Sequence, residues 1–132
     1  AEANAIAPGK RMLSSMSPTF VESNDRLAIL GTPGGSRIIT MVLHSILGVT
    51  QGDSAKDIVA APRFHHQYLP DEIQHESDAF SGNEIDNLTA RGHNLQELNG
   101  GYGNMQIVIV DKADNEVSAA SDPRGEGEAI VQ

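Results

Sequence analysis

The chain has 132 residues, enough for one domain or part of one, and a formal net charge of −9 from 9 Lys and Arg against 18 Asp and Glu. No basic patch is visible in the sequence, which argues against nucleic acid or an anionic membrane as a partner. With 0 Cys there are no disulfides and no thiol chemistry, which fits a reducing compartment or a disulfide-free bacterial periplasmic protein.

In chain order, residues 1–11 are predicted as loop, and β-rich runs over residues 19–22 and 27–30 flank turn formers, which predicts a hairpin. Apolar residues then recur at helical spacing over residues 38–47, with Gly48 as the predicted stop. This apolar stretch is too short to cross a bilayer, so we expect no membrane insertion. A second helix is predicted after the cap-like Ser54, ending before Pro62.

The second half of the chain predicts short strands around one further helix. Two extended pieces are expected within residues 64–76, and Ser81 with Glu84 matches a capping box that opens a third helix ending near Gly92. Residues 99–104 are predicted as a flexible loop, and the apolar run 105–110 as a strand buried on both faces. With a last strand over residues 116–121, the pattern predicts an α+β fold with two hairpins and three helices.

Gly34 and Gly35 lie between an apolar strand-like run and an apolar helix-like run. Two glycines allow backbone conformations closed to other residues, and the amides of a helix start can stabilise a bound anion or an oxyanion. The alternative is a tight turn that needs glycine for steric reasons alone. A Walker loop and the dinucleotide-binding glycine pattern are both absent from this stretch.

Four hydroxyl side chains cluster just before the first strand: Ser14, Ser15, Ser17 and Thr19. Such a cluster can hold a carboxylate through its O–H and N–H donors, or it can be an ordinary polar loop. The chain has no Gly-x-Ser-x-Gly elbow, and Ala1 cannot act as an N-terminal nucleophile. The sequence therefore contains no nucleophile with a base beside it.

Two further clusters favour structural roles. His65 and His66 have Asp71, Glu72 and His75 nearby, but adjacent strand residues point to opposite faces, so one buried, hydrogen-bonded histidine is favoured over a metal site. We therefore predict no metal. Asp122 and Arg124 allow a structural ion pair, although solvated surface charges are the favoured interpretation.

Four segments together resemble one family, the small subunit of the γ-glutamyltransferases (γ-glutamyltranspeptidases, glutathione hydrolases). They are residues 8–19, 31–39, 61–67 and 120–124, which match the family's motifs in order and spacing. The resemblance covers essentially the whole chain. It implies that residues 1–132 are the C-terminal portion of a small subunit, a single incomplete domain within the N-terminal-nucleophile hydrolase four-layer αββα sandwich.

The resemblance also implies a chemistry. Such enzymes hydrolyse glutathione and other γ-glutamyl amides, and transfer the γ-glutamyl group to amino acids or peptides, through a γ-glutamyl-enzyme intermediate on an N-terminal Thr. No metal or organic cofactor is implied. Ser14 and Ser15 match the serines that bind the substrate's α-carboxylate, and Gly34 and Gly35 match the pair whose backbone N–H groups form the oxyanion hole.

The nucleophilic Thr, the segment that follows it and the large subunit are not in this chain. We therefore expect the isolated chain to be inactive and its partners to be the large subunit and the rest of the small subunit. Because strand edges would be exposed, the isolated chain is expected to homodimerise, to swap a segment or to bind a partner. A periplasmic or secreted bacterial location is expected. The alternatives are a non-catalytic binding or assembly module of the same fold, or a related acylase such as a cephalosporin acylase or a capsule depolymerase.

Overall fold

Seven strands in two sheets and three α-helices make up the part of the chain that the computed structural model describes, residues 4–132. The strands are β1 (Thr19–Glu22), β2 (Arg26–Gly31), β3 (Phe64–Gln67), β4 (Glu72–His75), β5 (Leu95–Glu97), β6 (Gln106–Asp111) and β7 (Val117–Ser121). The helices are α1 (Ile38–Gln51), α2 (Ala55–Ala60) and α3 (Gly82–Ala90), and a 3₁₀ turn, Gly35–Arg37, leads into α1. The predicted α+β class is confirmed.

The larger sheet has the strand order β1-β2-β6-β7, with every neighbouring pair antiparallel. Side chains alternate between its faces, and the buried face packs against α1 and α2 around Leu30, Met41, Val59 and Ile107. The opposite face leaves Phe20, Ile29 and Val108 exposed. The prediction that β6 is buried on both faces is therefore wrong for this chain, because Val108 keeps 37% of its surface exposed.

The smaller sheet has the order β3-β4-β5 and joins β3 to β4 as an antiparallel pair. The sequence predicted two hairpins, whereas the described residues form three antiparallel pairs of consecutive strands: β1 with β2, β3 with β4, and β6 with β7. Strand β5 was not predicted. It has three residues and pairs in parallel with β4, so its existence depends on a partner about 20 residues earlier in the chain.

The N-termini of α2 and α3 and the C-terminus of α1 follow local capping chemistry. Ser54 accepts the N–H of Asp57 at 3.1 Å, and Ser81 with Glu84 forms the predicted capping box. The predicted stop at Gly48 is wrong, because α1 continues to Gln51 and ends at Gly52 with φ 89°. Gly48 instead allows close packing of α2, since a Cβ there would lie 2.8 Å from Ile58 Cγ1. No helix among the described residues is long and apolar enough to cross a bilayer.

Candidate active site

The turn at Gly34 and Gly35 connects β2 to the 3₁₀ turn that begins α1. Both glycines have positive φ, 150° and 60°, which L side chains rarely adopt. A Cβ on Gly34 would lie 2.5 Å from Cε of the buried Met41, so a larger residue there would have to displace the end of that side chain. Within residues 4–132, neither glycine N–H has an acceptor, so two backbone donors are available to a ligand.

The segment of residues 4–18 precedes β1 and has no helix or strand beyond its first described residue. Ser14 Oγ accepts the N–H of Met16 at 3.2 Å, and the carbonyl of Ser15 accepts the hydroxyl of Ser17 at 3.0 Å. These bonds span two residues each, so the segment is held locally and not by a helix or a strand.

One cavity of about 770 Å³ is lined both by the serines and by the glycines. We call it the groove; its lining residues include Ser14, Ser15, Thr32, Gly34, Gly35 and Asn104. The structure thus brings together the two residue pairs that the sequence singled out, although they are 20 positions apart. A groove with hydroxyl donors on one wall and free backbone N–H groups on the other suits a substrate that carries a carboxylate and a reacting carbonyl.

Asp122 and Arg124 are not solvated surface charges, so that interpretation is wrong. Asp122 is 1% exposed and pairs with both Arg63 and Arg124, the latter at 3.1 Å. Arg124 in turn pairs with the buried Glu76 at 2.6 Å. Burial of such charges requires pairing and hydrogen bonding. The partners come from three separate places, just after β4, just after β7 and the segment between α2 and β3, which spacing along the chain does not reveal.

This network ties the loop of residues 99–104 to the body of the protein. Arg63 donates to the carbonyl of Tyr102, and the N–H of Tyr102 donates to Glu76 Oε1 at 3.3 Å. Asp122 Oδ2 accepts the N–H of Met105 at 2.8 Å. The loop predicted as flexible is irregular, yet it is anchored at Tyr102 and directly after its end at Met105. Because Asn104 lines the groove, the network supports one of its walls from behind.

Burial alone would raise the pKa of Asp122. Hydrogen bonds from the backbone N–H groups of Arg124 and Met105, and the Arg63 guanidinium, outweigh that effect and hold the pKa below its usual value. Asp122 is therefore an anion in the folded protein at neutral pH, and its charge is matched by two arginines.

Two of these histidines, His65 and His75, are buried and hydrogen-bonded, one more than predicted. His65 is 5% exposed, with Nδ1 2.9 Å from Thr40 Oγ1 and Nε2 3.1 Å from Gln67 Oε1, while His66 points to the opposite face. His66 Nε2 lies 3.0 Å from Asp71 Oδ1 at the surface. Within residues 4–132, no group of three His, Asp or Glu side chains is placed to hold a metal ion.

Sequence reasoning missed the side chains that support the groove. Thr32 and Arg63 lie inside segments that carried the family resemblance, so their presence was visible but their contacts were not. Thr32 Oγ1 accepts the N–H of Asn104 at 3.1 Å across 72 residues of chain, and Arg63 meets Asp122 across 59. Nothing in the sequence next to Thr32 or Arg63 indicates these contacts, because both partners lie far away along the chain.

Comparison with known proteins shows which family the chain is similar to. The family model described as gamma-glutamyltranspeptidase matches residues 1–132. The chain is 43% identical over 125 residues to the glutathione hydrolase proenzyme of Escherichia coli and 42% identical over 135 residues to that of Pseudomonas aeruginosa. These matches cover 93% and 98% of this chain but 21% and 24% of the relatives, so the chain spans about a quarter of their length or less.

Solved structures with the same fold come from the same family and from a related transpeptidase. The gamma-glutamyltranspeptidase of Pseudomonas nitroreducens in complex with L-DON superposes with a TM-score of 0.82 at 42% identity, over 98% of this chain and 68% of that one. The transpeptidase enzyme CapD of Bacillus anthracis gives a TM-score of 0.81 at 27% identity, over 95% and 75% of the two chains. The predicted N-terminal-nucleophile hydrolase fold is confirmed. Since the family model matches the chain from end to end, this protein belongs to the γ-glutamyltranspeptidase family.

Proposed function

We propose that this chain is the C-terminal portion of the small subunit of a γ-glutamyltransferase that hydrolyses glutathione and other γ-glutamyl amides, and transfers the γ-glutamyl group to amino acids or peptides. The observation that carries the proposal is the groove, in which the serine pair and the two free glycine N–H groups line one cavity. The names of the relatives, glutathione hydrolases at 42–43% identity, support the same activity.

Each pair has a separate role in the proposal. Ser14 and Ser15 bind the α-carboxylate of the γ-glutamyl group. The N–H groups of Gly34 and Gly35 stabilise the oxyanion that forms when the nucleophile adds to the γ-carbonyl. Addition gives a tetrahedral intermediate; its collapse releases the amine and leaves a γ-glutamyl ester, which water or an acceptor amine then cleaves. The nucleophile and its base are supplied by a part of the parent enzyme that lies outside this sequence.

Turnover of γ-glutamyl-p-nitroanilide tests the proposal. The full parent enzyme is expected to release p-nitroaniline, and the 132-residue chain alone is expected to release none. Activity in the isolated chain, or no activity in the parent, would contradict it. The 4-aminobutanoyl analogue, which lacks only the α-carboxylate, distinguishes this substrate class from that of a related acylase: the parent should discriminate strongly against it.

The proposed partners are the large subunit and the rest of the small subunit. Support comes from the larger sheet, whose edge strands are β1 and β7 and whose outer face leaves Phe20, Ile29 and Val108 exposed. Exposed edges and apolar faces favour association, so the isolated chain is expected to homodimerise. Light scattering checks this, and a clean monomer at high concentration would contradict it.

We also propose a periplasmic or secreted location in a bacterium. The support is the cysteine-free composition together with bacterial relatives at 42–43% identity. Fractionation of the source cells, with γ-glutamyl-p-nitroanilide turnover as the readout, tests this location; activity confined to the cytoplasmic fraction would contradict it.

A further inference from the structure

The direction of the Gly34 N–H is set by a side chain. The carbonyl of Pro33 and the N–H of Gly34 belong to one planar peptide group and point in opposite directions. Thr32 Oγ1 donates a hydrogen bond to the carbonyl of Pro33 at 2.9 Å. Whatever fixes that carbonyl also fixes the N–H on the other side of the same plane.

The Thr32 hydroxyl is itself fixed by a hydrogen bond from a distant part of the chain. Its Oγ1 accepts the N–H of Asn104 at 3.1 Å, and the next residue, Met105, is fully buried and donates its N–H to Asp122. The single hydroxyl proton of Thr32 is therefore left for the carbonyl of Pro33, a stronger acceptor than the more distant Met41 sulfur at 3.9 Å. The hydroxyl connects the buried polar network to the glycine turn.

The Gly35 N–H is held differently. Its peptide plane contains the carbonyl of Gly34, which accepts the N–H of Arg37 at 3.2 Å in the first turn of the 3₁₀ segment. That support is made by the backbone alone. Loss of the Thr32 hydroxyl should therefore release one donor of the pair and leave the other in place.

We propose that Thr32 is a positioning residue for the oxyanion hole, acting through the Pro33–Gly34 peptide. The inference rests on the proposed function, because it assigns a support to the donor that meets the oxyanion. A group that acts in this way contributes to the transition state and little to substrate binding, so its loss lowers kcat and leaves KM nearly unchanged.

The experiment compares three variants of the parent enzyme on γ-glutamyl-p-nitroanilide. Thr32→Val removes the hydroxyl at nearly constant shape, and Thr32→Ser keeps it. Thr50→Val removes an exposed hydroxyl that donates to the Leu47 carbonyl at the far end of α1. A complete loss of one oxyanion donor costs about 10²–10³ in kcat, so a released but present donor is expected to cost about tenfold.

Support consists of a roughly tenfold fall in kcat for Thr32→Val with KM within about twofold, near-normal kcat for Thr32→Ser, and no change for Thr50→Val. If Thr32→Val proves too unstable to assay, Thr32→Ala against Thr32→Ser makes the same comparison. A raised KM at unchanged kcat would assign Thr32 to substrate contact and overturn the inference, as would equal losses in the Val and Ser variants.

The failure of the inference can be separated from failure of the proposed function. Normal kcat in Thr32→Val, together with a large loss in Gly34→Ala, overturns the positioning role and leaves the oxyanion hole standing. A parent enzyme that does not turn over γ-glutamyl-p-nitroanilide overturns the proposed function and the inference with it.

Discussion

The two walls of the groove are built in different ways. The glycine wall lies between β2 and the 14-residue helix α1, with the buried Met41 beneath it and Thr32 behind it. The serine wall belongs to an irregular segment; within residues 4–132, the hydrogen bonds of residues 4–17 reach no further than Thr19. Met12, Leu13 and Met16 along it are more than three-quarters exposed.

The contrast follows the tasks proposed for the two walls. Donors to an oxyanion act only if they already point at the place where charge develops, so the glycine wall requires rigid support. A carboxylate that does not react is bound equally in the ground state and the transition state, so the serine wall can be ordered by the substrate itself. Changes to the glycine wall and its supports should therefore reduce stability and kcat, whereas changes to the serine wall should raise KM alone.

The largest effect is expected from Asp122→Asn, which lies behind the glycine wall. Removing one partner of a buried ion pair typically costs about 3–5 kcal/mol, because Arg63 and Arg124 keep their charges without full compensation. Thermal unfolding of the parent enzyme should show a markedly lower Tm. Asp114→Asn, at an exposed turn position, is the matched control and should leave Tm unchanged.

The pH dependence of this variant has a definite sign. Because the pKa of Asp122 is held below its usual 3.8, its contribution to stability is complete above that value and is lost as pH falls through the lower folded pKa. Asp122→Asn should thus lose stability at neutral pH and approach the wild type in strong acid. A difference in Tm that is the same at neutral pH and well below pH 4 would contradict the assignment.

Asp122 also marks the limit of prediction from sequence. The capping box at Ser81 and Glu84 was predictable because both partners lie within four residues, and the structure confirms it. The burial of Asp122 was not, because its partner Arg63 is 59 positions away and nothing local distinguishes it from a surface carboxylate. Strand β5 was missed for the same reason, since three residues carry too little pattern without their partner strand.

In the candidate site, too, local sequence patterns were predictable and contacts between distant residues were not. Gly34 and Gly35 could be selected from sequence because a double glycine between a strand and a helix indicates either a tight turn or a turn whose N–H groups bind an anion. Their meeting with Ser14 and Ser15 in one groove, and the support from Thr32 and Asn104, depend on contacts over 20–72 residues of chain. The roles of the four residues remain predictions, which the next variants test.

Gly34→Ala should give the largest loss of activity among changes within the groove. Alanine rarely adopts the φ of 150° at this position, and its Cβ would also meet Met41 Cε at 2.5 Å, so we expect the turn and its N–H to shift. We expect kcat on γ-glutamyl-p-nitroanilide to fall by about 100-fold or more, with little change in KM. Gly82→Ala, where a Cβ meets open space, should be normal. Retention of kcat in Gly34→Ala would mean that this N–H does not face the oxyanion.

Ser15→Ala tests the serine wall. Losing one hydrogen bond to a charged group is expected to raise KM by about tenfold, and Ser14→Ala should behave similarly. The hydroxyl of Ser118, exposed on β7, provides the control in Ser118→Ala. Tm should not change in any of the three, because the serine wall has no hydrogen bonds to the core among the described residues and Ser118 is exposed. A fall in kcat at constant KM would show that the serine wall, too, is organised for the transition state.

The smallest effect is expected from Gly35→Ala, and its meaning depends on a matched glycine. Gly35 and Gly52 both have positive φ, 60° and 89°, and at both a Cβ would meet open space. Alanine in the left-handed region costs roughly 1–2 kcal/mol, so the two variants should lose similar amounts of Tm. Only Gly35→Ala lies in the groove, so it alone should lower kcat, and by less than Gly34→Ala because nothing blocks its side chain. Equal losses of kcat in Gly35→Ala and Gly52→Ala would instead assign the effect to α1 as a whole. The glycine wall would then have no local role that separates it from the rest of the helix.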